Sequence, residues 1–226
     1  IAVWLIGACF VTGALILRAA KQPVRSYVPA VMFGNMGNLG VPLCAFAFGD
    51  EGLGVVIGFY IAASVIQFVI GPMIQGRQAA WRTLLTTPII YAALLGLLLL
   101  QTEAEIPLAL ANTVELIGGM TLPLMLIAMG YSLAMFKVSR INTAIGITAL
   151  RFSLGLMAGL LAIEFLELEG VLRGVVLIEA CMPVAVFNFL FAARYDRAPE
   201  DVAGAILVST VLSFISLPWL LLWALP

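Results

Sequence analysis

Residues 33–42 read Phe-Gly-Asn-Met-Gly-Asn-Leu-Gly-Val-Pro, in the middle of an apolar run long enough to cross a membrane. Two amides, three glycines and a proline (Asn35, Asn38, Gly34, Gly37, Gly40 and Pro42) fall where helix-breaking residues should be scarce. In lipid, every backbone N–H and C=O released from a helix needs another partner. Irregular backbone therefore survives only where protein buries it or where it lines a cavity. A Gly/Pro-interrupted hydrophobic span is also the pattern that marks transporter binding sites.

The rest of the chain carries the membrane reading. Of the 226 residues 63% are hydrophobic and only 10% charged, whereas a soluble domain carries about 25% charge. The mean hydropathy is +1.15. The apolar runs are long and do not alternate with polar residues, so the spanning elements are helices and not barrel strands. The chain has no His, which removes imidazole metal sites, Ser-His catalysis and His proton relays. No metal site and no cofactor are expected beyond a coupling ion, H+ or Na+. No basic run suggests nucleic acid. Cys9, Cys44 and Cys181 lie in apolar runs and read as small core residues. The first residues, Ile-Ala-Val-Trp, carry no leader signature and open inside a span, so a fragment lacking its true N-terminus is expected.

Charges and Pro/Gly punctuation delimit eight candidate spans, at 1–17, 28–48, 53–75, 84–101, 108–136, 141–164, 171–194 and 200–225. Most match the ~20 residues that cross a hydrocarbon layer of ~30 Å. The loops alternate in sign. Arg18, Lys21 and Arg25, then Arg77 and Arg82, then Lys137 and Arg140, then Arg194 and Arg197 follow the odd-numbered spans, accounting for nine of the eleven Lys and Arg. The even-numbered connections hold Asp50 and Glu51, Glu103 and Glu105, and Glu164, Glu167 and Glu169, with Arg173 the one cation among them. The positive-inside rule makes the basic loops cytoplasmic and puts both ends of the chain on the outer side of a cell (inner or plasma) membrane.

Two segments repeat. Ser-Val-Ile-Gln-Phe-Val-Ile-Gly-Pro at 64–72 matches Thr-Val-Leu-Ser-Phe-Ile-Ser-Leu-Pro at 210–218, and Pro42 to Phe48 parallels Pro183 to Phe189. Spans 1–3 and 6–8 then form two copies of one three-helix unit, offset by five spans and so inserted in opposite senses. This is the inverted repeat of many secondary transporters. The middle helix of each copy is the interrupted one, the second carrying Glu179, Pro183 and Asn188. Half-helix N-termini expose amides that suit an anion.

Asn35-x-x-Asn38-x-Gly40-x-Pro42-Leu43, followed by Phe48-Gly49 and an acidic turn, resembles the fourth helix of the auxin efflux carrier family. Met182-Pro183-x-Ala185-x-x-Asn188, with Ala192 and Tyr195 after it, resembles the family's ninth helix, and Ser209-Thr210 its tenth. The resemblance runs over essentially the whole chain. It implies an all-α polytopic membrane protein, with eight transmembrane helices here of a ten-helix inverted-repeat (5+5) elevator-type fold shared with bile-acid sodium symporters. Under it, 1–75 supplies first-repeat transport-domain helices (crossover helix 28–48), 84–136 the scaffold, and 141–225 the second-repeat transport helices (crossover helix 171–194). With two scaffold helices missing, this chain alone is not expected to transport. Asn188, where plant members carry a second proline, departs towards the bacterial pattern and puts auxin itself in doubt as cargo.

The sites follow. Asn35, Asn38, Gly40, Pro42, Pro183 and Asn188 are the expected substrate-binding set. The alternative for the asparagines is plain interhelical bonding, and for the glycines close helix packing. Glu179, an intramembrane carboxylate, is expected to couple transport to a proton or cation, with a structural ion pair as the alternative. Arg151 either pairs with Glu179 or balances an anionic substrate. Gln67, Ser64, Ser209, Thr210 and Ser213 are polar positions whose hydroxyls often bond only their own backbone. Glu115 reads as interfacial, and Trp4, Trp81, Trp219 and Trp223 as belt anchors. The expected function is secondary transport of a small organic anion such as a dicarboxylate, proton-coupled, with a sodium-coupled bile-acid-like symporter as the alternative. Beyond the substrate the expected partners are the bilayer and a second copy through the scaffold helices. With no nucleophile–base pair, an enzyme is excluded.

Overall fold

The computed structural model describes residues 1–76, 88–102 and 106–225, and among these it is entirely helical apart from one isolated bridge. The expectations for Arg77, Trp81, Arg82, Glu103 and Glu105, and for the start of the span at 84–101, lie outside the described residues. The elements are α1 (Ala2–Ala19), α2 (Val24–Met32), a π-helical turn (Met36–Gly40), α3 (Val41–Gln75), α4 (Pro88–Thr102), α5 (Leu108–Gly119), α6 (Thr121–Met135), α7 (Ile141–Phe165), α8 (Gly170–Ala180), α9 (Phe187–Arg194) and α10 (Pro199–Ala224). Among the described residues, five stretches are long and apolar enough to cross a membrane: Ala2–Ala19, Met36–Gln75, Leu108–Met135, Ile141–Phe165 and Pro199–Ala224.

The same element order occurs in two parts of the chain. A long helix (α1 or α7) leads to a short one (α2 or α8). An extended link follows, then a second short helix and another long one. In the first half, the second short helix and the long one are joined at Gly49, whose φ of 62° and ψ of −147° break what is otherwise a continuous run. That conformation is essentially restricted to glycine, so Phe48-Gly49 before the acidic residues is a built reversal point. In the second half the same reversal falls at Asp196 to Ala198.

The long helices pack against the broken ones. α1 lies on α2 and α7, α10 on α7, α8 and α9, and α3 on α8, while α6 reaches the π turn. Side chains from α1, α2, α3, α7 and α8, including Leu5, Cys9, Phe33, Phe59 and Val176, share one buried cluster around the middle of the bundle. By contrast, α5 buries no residue and α6 buries Met129 alone. The free cysteines Cys9 and Cys44 are buried. Glu115 is exposed, as are Trp4, Trp219 and Trp223.

One end of the bundle gathers the basic connections. Tyr27 at the start of α2 donates its hydroxyl to Asp201 of α10 at 2.7 Å, and Arg140 before α7 pairs with the same carboxylate at 3.6 Å. Arg197 donates to the carbonyl of Gln75 at 2.9 Å.

Candidate functional site

The two broken helices meet at their breaks. Phe33 to Asn35 and Pro183 to Ala185 run antiparallel, with Gly34 opposite Val184. The amide of Asn35 donates to the carbonyl of Pro183 at 2.7 Å, and the amide of Ala185 to that of Phe33 at 3.0 Å. Ser209 of α10 accepts the amide of Val184 at 3.1 Å. The carbonyl of Asn35 accepts from Leu39 and Gly40, closing the π turn. The freed groups of Phe33, Asn35, Pro183, Val184 and Ala185 thus find partners in the opposite broken helix or in α10, as burial in lipid requires. Gly34 is needed at the contact. A Cβ there would stand 2.6 Å from Arg151 Nη2 and 3.3 Å from Met182 Cβ.

The crossing corrects the register of the sequence repeat. Pro42 was matched to Pro183, but the paired residues are Gly34 and Val184. Pro42 lies in the first turn of α3, beyond the π turn, where a missing N–H costs nothing. Pro183 stands in the extended link itself, and α8 ends before it at Ala180, as the extended bias of a residue before proline favours.

The crossing has two electrically opposite sides. α2 and α8 both end at it, so their last carbonyls converge. Arg151, 1% exposed in the middle of α7, answers them. Nε donates to Met182 O at 3.0 Å, Nη1 to Val31 O at 3.2 Å and Nη2 to Ala180 O at 3.1 Å. The guanidinium caps both half-helices at the negative ends of their dipoles. Among the described residues the one ion pair within 4.0 Å is Arg140–Asp201. Arg151 and Glu179 therefore form no salt bridge, contrary to one of the two expectations for Arg151.

On the other side the π turn and α9 begin, so amides converge. The amides of Met36, Gly37 and Asn38 precede the first bond of the turn and have no acceptor within it. A cavity of about 20 Å³ lies there, lined by Asn35, Asn38, Ser64, Gln67, Tyr60 and Phe187 among others. That is room for about one water molecule. Gln67 Nε2 is buried without a partner among the described residues. The Tyr60 ring closes on Gly37, and Phe68 packs edge-on against Phe187 at 5.1 Å. Of the expected substrate residues, Asn35 and Asn38 line this cavity, whereas Gly40, Pro42, Pro183 and Asn188 do not. Asn35 Nδ2 also contacts Met129 Sδ of α6 at 3.4 Å. Asn188 Nδ2 donates to Phe33 O at 3.2 Å, and its buried Oδ1 has no partner among the described residues. The aromatic walls Tyr60, Phe68 and Phe187 were missed, since an aromatic in an apolar span carries no distinguishing signal.

Glu179 occupies a third position. It is fully buried near the end of α8. Cys44 Sγ approaches Oε1 at 4.0 Å, and Oε2 has no partner among the described residues. Gly40 makes the space: an added Cβ would overlap Oε1. Glu179 and the cavity thus touch different faces of one π turn. Ser209 and Ser213 donate to carbonyls three residues back in their own helix, and Thr210 Oγ1 is buried without a partner among the described residues.

A family model described as membrane transport protein matches residues 72–221, which include the second broken helix and its flanking long helices. The chain belongs to this family, that of the auxin efflux carriers. Among its relatives, an uncharacterized transporter of Methanocaldococcus jannaschii is 22% identical across 94% of this chain and 73% of its own length. An uncharacterized transporter of Methanothermobacter thermautotrophicus is 29% identical across 84% of this chain and 64% of its own. Auxin efflux carrier component 1 of Arabidopsis thaliana is 27% identical across 63% of this chain and 24% of that protein. The family is one of multi-pass membrane transporters and not of enzymes.

Proposed function

We propose that this transporter carries a small organic anion, a carboxylate such as a dicarboxylate, bound at the amide side of the crossing. The observation that carries the reading is the convergence of two half-helix N-termini on a cavity lined by the neutral donors Asn38 and Gln67, the latter with an unpartnered Nε2. Oriented amides and a positive dipole end favour a carboxylate there without a fixed cation. At about 20 Å³ the cavity is in a closed arrangement, and a dicarboxylate requires it to open. Opening by an elevator-like slide of the units at 1–75 and 141–225 against the scaffold at 84–136 fits the poorly buried α5 and α6, which reach the crossing mainly through Met129. The scaffold helices also offer the surface for a homodimer.

The reading includes proton coupling through Glu179. Its buried carboxyl lies against the same π turn that walls the cavity, so a change in its charge bears on the turn that holds the substrate. A sodium-coupled symporter is the second reading, favoured by the unpartnered Glu179 Oε2 as a cation ligand. In a cell membrane the positive-inside rule places the basic end in the cytoplasm and both chain ends outside.

The test uses the full-length protein in liposomes. Uptake of a carboxylate identified by thermal-shift screening is measured under a pH gradient and, separately, a sodium gradient. Proton-driven uptake that Glu179→Gln uncouples supports the first reading. Sodium-driven uptake indifferent to pH supports the second. Uptake still proton-coupled in Glu179→Gln removes that residue from the coupling.

A further inference from the structure

We propose that the groove between the C-terminal half of α1 and the N-terminal half of α7 binds one anionic phospholipid, with an acyl chain along the groove and the phosphate at its basic mouth. The groove encloses about 530 Å³. Its floor is apolar, formed by Ile16, Leu17, Gly146, Ile147 and Leu150, and its mouth is polar, with Gln22, Asn142 and Thr143.

Its length fits one leaflet. From Asn142 to Ser153, the groove residues at the two ends of the α7 wall, a helix rises about 16 Å. That is roughly half of a ~30 Å hydrocarbon layer, the depth that the tail of a single lipid occupies. On α7 the lining residues Thr143, Gly146, Ile147 and Leu150 recur at helical spacing, so they form one continuous stripe.

The mouth carries charge that the protein does not neutralise. Arg18 and Lys21 flank the lining residues Leu17, Ala20 and Gln22, and Arg25 lies two residues before the lining residue Tyr27. All three cations are exposed, and among the described residues none has an acidic partner within 4.0 Å. The carboxylate bonded to the lining residue Tyr27, that of Asp201, is also engaged by Arg140. A groove of similar size between α7 and α10, about 410 Å³, is lined by Phe152, Leu156, Leu212, Trp219 and Trp223, and the cation beside it, Arg173, is engaged with the carbonyl of Trp223 at 3.2 Å. Basic pockets between membrane helices select anionic headgroups, and the α1–α7 groove joins a leaflet-length apolar floor to three cations, where the α7–α10 groove of about 500 Å³ at the same end has Lys137 beside its lining residue Val138 and Arg140 already paired with Asp201.

The full-length protein in mild detergent, titrated with phosphatidylglycerol or phosphatidylcholine of the same chains and read by native mass spectrometry, tests this. Wild type is expected to retain phosphatidylglycerol on the order of tenfold over phosphatidylcholine. Gly146→Leu fills the floor, and a Cβ at Gly146 meets nothing within 4 Å, so the fold tolerates it while retention of the selected lipid is lost. Gly118→Leu, where an added Cβ also meets open space, leaves retention unchanged. Combined R18Q, K21Q and R25Q lowers phosphatidylglycerol to the phosphatidylcholine level. Equal retention of the two lipids by wild type, or wild-type retention by Gly146→Leu, overturns the proposal. So does a Gly146→Leu protein that changes its oligomeric mass with lipid retention intact, since the groove would then seat a second copy.

Discussion

The two sides of one crossing differ in how completely the protein answers its own backbone. On the carbonyl side, Arg151 donates to Val31, Ala180 and Met182, and the half-helix ends α2 and α8 are closed. On the amide side, Met36, Gly37, Asn38 and Gln67, whose Nε2 has no partner among the described residues, line a cavity of about 20 Å³. A fold that needed only stability would satisfy both sides. On the function proposed above, the difference separates a residue that holds the crossing together from residues that receive the ligand. The guanidinium hydrogen bonds are spent on the carbonyls at the half-helix ends.

The largest effect is expected from removing the staple. Arg151→Ala leaves the three carbonyls buried and unpaired, at a cost of at least about 3 kcal/mol. Thermal unfolding in detergent should show loss of most of the folded protein. Arg151→Lys keeps the charge, but a single ammonium cannot match the planar fork of three donors, so it recovers only part of the stability. An Arg151→Ala protein with unchanged melting temperature and abolished anion binding would move Arg151 to the ligand side and break the comparison. Next comes Gly34→Ala. The new Cβ meets Arg151 Nη2 at 2.6 Å, and displacing the fork is expected to cost about 1–3 kcal/mol. Ser209→Ala strands the amide of Val184 and is expected to cost about 1–3 kcal/mol. A Ser209→Ala transporter stable as wild type yet unable to bind the anion would assign that hydroxyl to cargo instead.

The place of the crossing was legible because its cause is local: glycines and prolines inside apolar runs announce a break, and Asn35 and Pro183 fall within it. The task of Arg151 was not. A sequence displays charges, so a buried cation suggests a buried anion, and Glu179 was the available one. The true acceptors are carbonyls that become free only when both helices unwind at the same point, and no residue type encodes that. The repeat register failed for a related reason. Pro42 and Pro183 are the same residue with different backbone tasks, one opening a helix and one standing in an extended link. The helical membrane architecture was readable from run length and loop charge, as was the reversal at Gly49. The cavity walls were not, because Tyr60, Phe68 and Phe187 look like every other apolar position in a span.

The smallest effect on stability is expected at the amide side, and there it is the most informative. Gln67→Leu removes an Nε2 that has no partner among the described residues and substitutes an apolar side chain of similar size. Its melting temperature should therefore stay within the equivalent of about 0.5 kcal/mol of wild type. If the Nε2 is kept for a carboxylate, the same change deletes a hydrogen bond to a charged group, worth about 1.5–3 kcal/mol. The dissociation constant for the anion should then rise by roughly ten- to a hundredfold, read by calorimetry or by the ligand-induced thermal shift. Asn38→Ala, on the opposite wall, should act in the same direction. A Gln67→Leu protein that binds the anion as wild type does, with a raised melting temperature, would mean that the unpaired amide is only a packing defect. The two sides would then differ in polarity alone and not in purpose.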